Sequence, residues 1–219
     1  FLLISRGDST LRGHYPLETE TLRKELEQET GKQIDGEIIC PFFPEGGRLT
    51  IGNVHYAKDG NMLVPVGMTE FARDKTFGYH ASDLTEYIEE KTQGAYKKED
   101  CISIDLEELR ENRKEDICRK LISAHNFAKI IVNATSYKEL DVFREAFIKA
   151  VQEGKHYLAR TAAAFPKTIG GVTDRPLLSR EEILGLSGRQ QPESETDKDL
   201  PAKPRNGGIV LVGSHVQKT

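Results

Sequence analysis

The sequence predicts a layered α/β fold, a sheet with flanking helices, and three observations carry that prediction. Short apolar runs of strand length alternate with longer stretches whose apolar residues recur at helical spacing. Glycine and proline punctuate the boundaries between them. With 37% apolar and 30% charged residues, the 219-residue chain can fill a core while staying far from membrane-like or disordered composition.

Residues 1–6 read as a buried strand, followed by a polar loop from Gly7 to Tyr15. Pro16 suits the first turn of a helix, where its missing N–H costs nothing. Leu22 and Leu26 share one face of that helix, and Gly31 is its stop. Glu37-Ile38-Ile39-Cys40 is a short strand ending at Pro41. From Pro41 to His80 the chain reads as long and irregular, with Met62–Val66 as an edge strand because Pro65 cannot sit in a central one. Loops of that length in a compact domain are often functional.

Alternation then resumes. Ser82 or Asp83 caps a helix carrying Leu84, Tyr87 and Ile88. Cys101–Ile104 is a strand, Leu106–His125 is helical with a break near Asn112, and Lys129–Asn133 is a core strand. Leu140, Phe143, Phe147 and Val151, at spacings of 3, 4 and 4, mark an amphipathic helix stopped by Gly154. Ala159–Phe165 reads as a further helix, and Ser179 with Glu182 makes a capping box for a last one ending near Leu186. Residues 188–206 carry one large apolar residue, Leu200, and read as a solvated linker. The strand within 207–219 then belongs to a second domain. Phe1–Ile4 is already strand-like at the first residue, and Ile209–Val212 enters a turn at the last. The expectation is therefore an internal piece of a longer protein.

Several function classes lack support. The net charge is −4 with both signs interspersed, which argues for neither a nucleic-acid nor a membrane surface. No apolar run approaches the roughly 20 residues of a membrane span. Three widely spaced cysteines suggest reduced thiols and a cytoplasmic setting. The six histidines show no metal-ligand spacing. No nucleophile elbow or dinucleotide fingerprint is present, which disfavours a hydrolase or a dehydrogenase.

The strongest local signal is Ser5-Arg6-Gly7-Asp8-Ser9-Thr10-Leu11-Arg12-Gly13-His14, a strand running into a loop dense in polar groups. Ligands of α/β sheets gather at the carboxyl ends of strands. Arginine binds a carboxylate through two parallel hydrogen bonds. Asp8, Ser9 and Thr10 suit the hydroxyls of a small polyol, and Gly13 lets backbone approach a ligand. The pattern points to a small hydroxylated anion; the alternative is an ordinary Asx turn with solvated arginines. A second signal, Pro41–Tyr56, again follows a strand end. There Arg48 beside Gly46 and Gly47 offers a second cationic clamp, and Asn53 or His55 a polar contact; the alternative is a surface Ω-loop. A third, Val212-Gly213-Ser214-His215, presents amides and a hydroxyl at a strand–helix turn, although Lys218 stands five residues after Gly213 and does not complete a P-loop.

Asp8-Ser9-Thr10-Leu11-Arg12-Gly13 resembles the signature of the four-carbon acid-sugar kinase family. Pro41–Tyr56 is similar to that family's proline- and glycine-rich second segment, and Val132-Asn133-Ala134-Thr135 sits where members carry a strand followed by Asp-Ala. Gly207–His215 resembles the opening of the family's carboxyl-terminal nucleotide domain. Gly7, His14 and Asn133 depart from the common pattern, and the family's amino-terminal Asp-Asp-x-Thr-Gly segment is absent.

The resemblance implies an acid-sugar-binding domain over residues 1–187 and the start of an ATP-binding domain over 207–219. It implies transfer of phosphate from ATP, with Mg2+, to a terminal hydroxyl of a threonate, erythronate or 3-oxo-tetronate type acid. Carried over residue by residue, Asp8, Ser9, Thr10, Arg12, Gly13 and Arg48 line the sugar site, with either Asp8 or an aspartate of the family's amino-terminal segment as the base, and Ser214 falls at the first ATP contact. A non-catalytic acid-sugar-binding module is the rival reading. Homo-oligomerisation is left open.

Overall fold

A computed structural model describes residues 2–186 of the chain. The linker 188–206 and the segment 207–219 with Ser214 lie outside the described residues. The chain divides into two units, residues 1–172 and 173–219.

The first unit is built on strands β1 (Leu3–Arg6), β2 (Gly36–Cys40), β3 (Arg48–Ile51), β4 (Val54–Asp59), β5 (Met62–Pro65), β6 (Ile102–Ile104), β7 (Ala128–Val132) and β8 (Tyr157–Thr161). Its helices are α1 (Leu17–Thr30), α2 (Leu84–Lys91), α3 (Leu106–Arg110), α4 (Lys114–Ser123), α5 (Tyr137–Gln152) and α6 (Ala164–Ile169). In the second unit the described residues contain α7 (Arg180–Leu186), whose expected capping box forms between Ser179 and Glu182.

Strands β1-β8-β2-β7-β6 form one parallel sheet in that order. Parallel sheets are covered on both faces, so all five residues of β2 are buried, and its one charged residue, Glu37, is buried with a partner, Lys129. One face packs Ile38, Cys40, Ile130 and Val132 against Leu121, Phe143 and Phe147 from α4 and α5. The other packs Ile39 and Ile131 against Leu11, Tyr15, Leu84, Tyr87 and Ile88. A Cβ on Gly36 would stand 2.7 Å from Ile130 Cδ1 and 3.3 Å from the Ala128 carbonyl oxygen, so the glycine lets Ile130 pack across this strand unshifted.

Most helix boundaries follow the expected chemistry. Gly31 ends α1 with φ 66°, and Asp83 caps α2 by accepting from the Thr85 N–H. The break between α3 and α4 falls at Asn112, with φ 57°. A capping box of Ser136 and Glu139 starts α5.

Four expectations are corrected. The Pro41–His80 segment is not irregular: β3, β4 and β5 form a three-stranded antiparallel sheet, with β5 at its edge as Pro65 requires. Its strands are only four to six residues long and broken by Gly52-Asn53 and Gly60, so alternation never accumulates. Residues 159–161 are strand, not helix. Alanine favours a helix locally, but the slot between β1 and β2 decides the conformation, and the helix α6 begins only at Ala164. The first strand lies at the sheet edge and is only partly buried. Val151 is 44% exposed, and Ala146 and Ala150 cover the core instead.

Candidate functional site

The loop after β1 leaves the carboxyl-terminal end of the sheet and folds back on itself around Asp8. The carboxylate accepts from the Thr10 N–H at 3.0 Å, from the Thr10 hydroxyl at 2.6 Å and from Arg12 Nε at 2.6 Å. Burial alone would raise the Asp8 carboxyl, but the hydrogen bonds from Thr10 and Arg12 outweigh it and hold it below the usual carboxylate range. The Asx turn is therefore real, but its arginine is not solvated: the Arg12 side chain is 20% exposed.

The insertion between β2 and α2 brings Arg48 to the same place. The Arg12 and Arg48 guanidinium carbons each lie 5.3 Å from the centroid of the Phe71 ring. Arg48 donates through Nη1 to the Gly46 carbonyl, and its Nε is buried without a hydrogen-bond partner among the described residues. Burial lowers the Arg48 pKa, and Arg12 nearby acts in the same direction against the pull of Asp8 and Tyr79. Two guanidinium groups thus meet over one ring; Asp8 pairs with Arg12 at 2.6 Å, and Asp74 Oδ2 lies 3.8 Å from Arg12 Nη1.

The loop backbone is fixed from outside. Its three consecutive carbonyls each accept a hydrogen bond: Ser9 O pairs with His55 Nε2 at 2.8 Å, Thr10 O with the Tyr79 hydroxyl at 2.6 Å, and Leu11 O with the Tyr87 hydroxyl at 2.8 Å. These bonds hold Leu11 in the left-handed region, at φ 67°, with its side chain in the core. His55 is fully buried, its Nδ1 lies 2.9 Å from the Thr50 hydroxyl, and desolvation pushes its pKa down to about 4. A neutral imidazole that donates from Nε2 and accepts at Nδ1 satisfies both partners.

Of the residues singled out in the sequence, Asp8, Thr10, Arg12 and Arg48 converge. Ser9 contributes its carbonyl to the scaffold. Gly13, at φ 135°, lies over Arg160 and Glu18. His55 makes its polar contact with the loop backbone. Asn53 does not face this loop: it exchanges hydrogen bonds with Asn133, whose Nδ2 also donates to the Ile104 carbonyl, so Asn133 ties the β3–β4 turn to the sheet. Phe71, Tyr79, Tyr87 and Arg160 were not legible as site residues. The one available signal was a lone arginine in the apolar run Tyr157–Thr161. Among the described residues no group of three or more His, Cys, Asp or Glu side chains is placed to hold a metal ion.

The chain resembles a solved Haemophilus influenzae protein of the DUF1537 family, with TM-score 0.56 and 16% identity over 86% of this chain and 39% of the other. It resembles equally, at TM-score 0.56 and 16% identity over 76% of this chain and 36% of the other, a Salmonella typhimurium LT2 protein provisionally described as a tRNA synthase. The chain thus spans well under half the length of these structures, and at that identity the likeness concerns the fold. No curated protein matches the sequence significantly. A family profile described as a sugar-binding N-terminal domain matches residues 1–169. The chain therefore belongs to the family of sugar-binding N-terminal domains, in keeping with the resemblance of its first loop to the four-carbon acid-sugar kinases.

Proposed function

We propose that the loop of Asp8–Gly13, together with Arg48, binds a four-carbon sugar acid and presents its terminal hydroxyl for phosphorylation by ATP. The observation that carries this reading is the meeting of Arg12 and Arg48 over Phe71, with Arg48 Nε buried and unpartnered among the described residues. Two partly buried guanidinium groups, Arg48 with a spare donor, suit a carboxylate, which accepts several charge-assisted hydrogen bonds at once. Asp8 stands four residues from Arg12 in the same loop and is ionised at neutral pH. It is the candidate acceptor of a substrate hydroxyl and of its proton during transfer.

Phosphoryl transfer is mainly positioning and charge stabilisation, so a rigid substrate loop is what the reaction asks of this domain. The three pinned carbonyls supply that rigidity. ATP, Mg2+ and a nucleotide contact at Ser214 complete the reading as proposals from the resemblance. The rival is a module that binds sugar acids without transferring phosphate.

The test uses the full-length protein. Calorimetry with threonate, erythronate and 3-oxo-tetronate should show binding of at least one, and ADP release should depend on the same compound. Binding without ADP release leaves the non-catalytic module. No binding of any four-carbon sugar acid overturns the reading.

A further inference from the structure

Arg160 lies at the carboxyl-terminal end of β8, between β1 and β2, and is 4% exposed. Its Nε donates to Glu18 Oε1 at 2.8 Å, and its guanidinium lies 4.9 Å from the centre of the Tyr15 ring. Burial opposes its charge, yet Tyr87, Glu18 and Glu37 around it hold the pKa above the ordinary value. Its Nη2, however, is buried and has no hydrogen-bond partner among the described residues. A buried unsatisfied N–H is costly, so this nitrogen is available to an acceptor that reaches it.

The two glycines flanking the Asp8–Arg12 segment sit directly against this nitrogen. A Cβ on Gly7 would come 3.7 Å from Nη2, and one on Gly13 would come 3.4 Å from it and 3.8 Å from Glu18 Oε2. No side chain of either residue stands between the loop backbone and the Arg160–Glu18 pair. The spare nitrogen and the second carboxylate oxygen thus lie around one point, beneath Gly13.

We infer that Arg160 and Glu18 form a hydroxyl-binding subsite of the sugar-acid site, an inference that rests on the reading proposed above. The pair carries no net charge. It therefore suits a hydroxyl, which needs one donor and one acceptor, whereas Arg12 and Arg48 suit the carboxylate. A secondary hydroxyl of the ligand, seated against Gly13, accepts from Arg160 Nη2 and donates to Glu18 Oε2. Which hydroxyl is present, and with which configuration, then becomes part of what the site reads.

The experiment is calorimetry on the full-length protein with threonate, erythronate and their deoxy analogues 2,4-dihydroxybutanoate and 3,4-dihydroxybutanoate. Arg160→Met should weaken the preferred tetronate about tenfold or more, the scale of a lost hydrogen bond to a charged group. The analogue lacking the recognised hydroxyl should bind wild type and variant within twofold. Arg160→Lys keeps the charge without the forked donors and should show the same pattern where the methionine variant does not fold. Glu18→Gln tests the acceptor side independently. Equal weakening of tetronate and both analogues identifies Arg160 as merely structural and overturns the inference. So does unchanged affinity throughout, while the sugar-acid reading survives either result. Failure of the wild type to bind any of the four compounds defeats that reading, and the subsite falls with it.

Discussion

Lys129 donates to Glu37 across neighbouring parallel strands at 2.6 Å, with neither side chain more than 1% exposed. Tyr96 and Phe127 each present a ring 3.8 Å from the same ammonium. Burial lowers the Lys129 pKa despite the partner. Removing Lys129 leaves Glu37 charged in a dry place, and removing Glu37 leaves the Lys129 ammonium with only Glu20, 3.9 Å away. Glu37→Gln or Lys129→Met alone should therefore cost about 3–5 kcal/mol of stability, and the double apolar replacement Glu37→Leu with Lys129→Met should recover much of it. Urea unfolding of the four proteins checks this; equal costs that simply add would show that the pair is not coupled.

Asp8 gives a pH prediction whose sign is fixed by its lowered pKa. Its ionised form persists below the ordinary aspartate value of about 3.9, so the stability it contributes is complete above that value and lost only as pH falls through the lower folded one. An acid limb in kcat due to Asp8 should lie in that same low range. Asp8→Asn in the full-length protein should lower kcat far more than it raises KM. A limb near pH 6 would assign proton acceptance to another group.

Arg12 and Arg48 should act as a pair. Arg12→Ala or Arg48→Ala should each weaken sugar-acid binding by about 2–5 kcal/mol, the scale for truncating one partner of a desolvated charge pair. Calorimetry should show the double variant losing less than the sum, since both serve one carboxylate. Affinity equal to wild type in either single variant would remove that arginine from the site.

His55 titrates at about 4 in the fold against 6.5 as a free side chain. The unfolded chain therefore binds more protons between those values, and stability falls as pH drops from 6.5 toward 4. His55→Gln should flatten that slope. It should also loosen Ser9, seen as faster amide exchange in the loop. An unchanged slope in urea titrations from pH 4 to 7 would mean that the imidazole is not held neutral.

How much of this was legible depended on whether the controlling interaction was local. Asp8, Thr10 and Arg12 sit within five positions, so their proximity could be read directly. The helix stops at Gly31 and Gly154 and the caps at Asp83 and Ser179 are likewise decided within one turn. Arg48 was legible only as a cation beside glycines, because what brings it to Arg12 is Phe71, and nothing in the sequence marks Phe71. Arg160 was hidden by its neighbours: Ala159 and the alanines after it favour a helix, while β1 and β2 on either side impose a strand. Tyr79 and Tyr87 lie 69 and 76 residues from the carbonyls they hold, beyond the reach of any spacing rule.

The insertion between β2 and α2 both places Arg48 beside Arg12 and props up the loop that carries Arg12. Those two duties fall on different residues: Arg48 and Phe71 on one side, His55 and Tyr79 on the other. Ligand preference can therefore be retuned by exchanging the first group while the props stay in place and the parallel sheet is left untouched. A fold built this way can vary the residues beside its first loop without re-solving its folding problem each time.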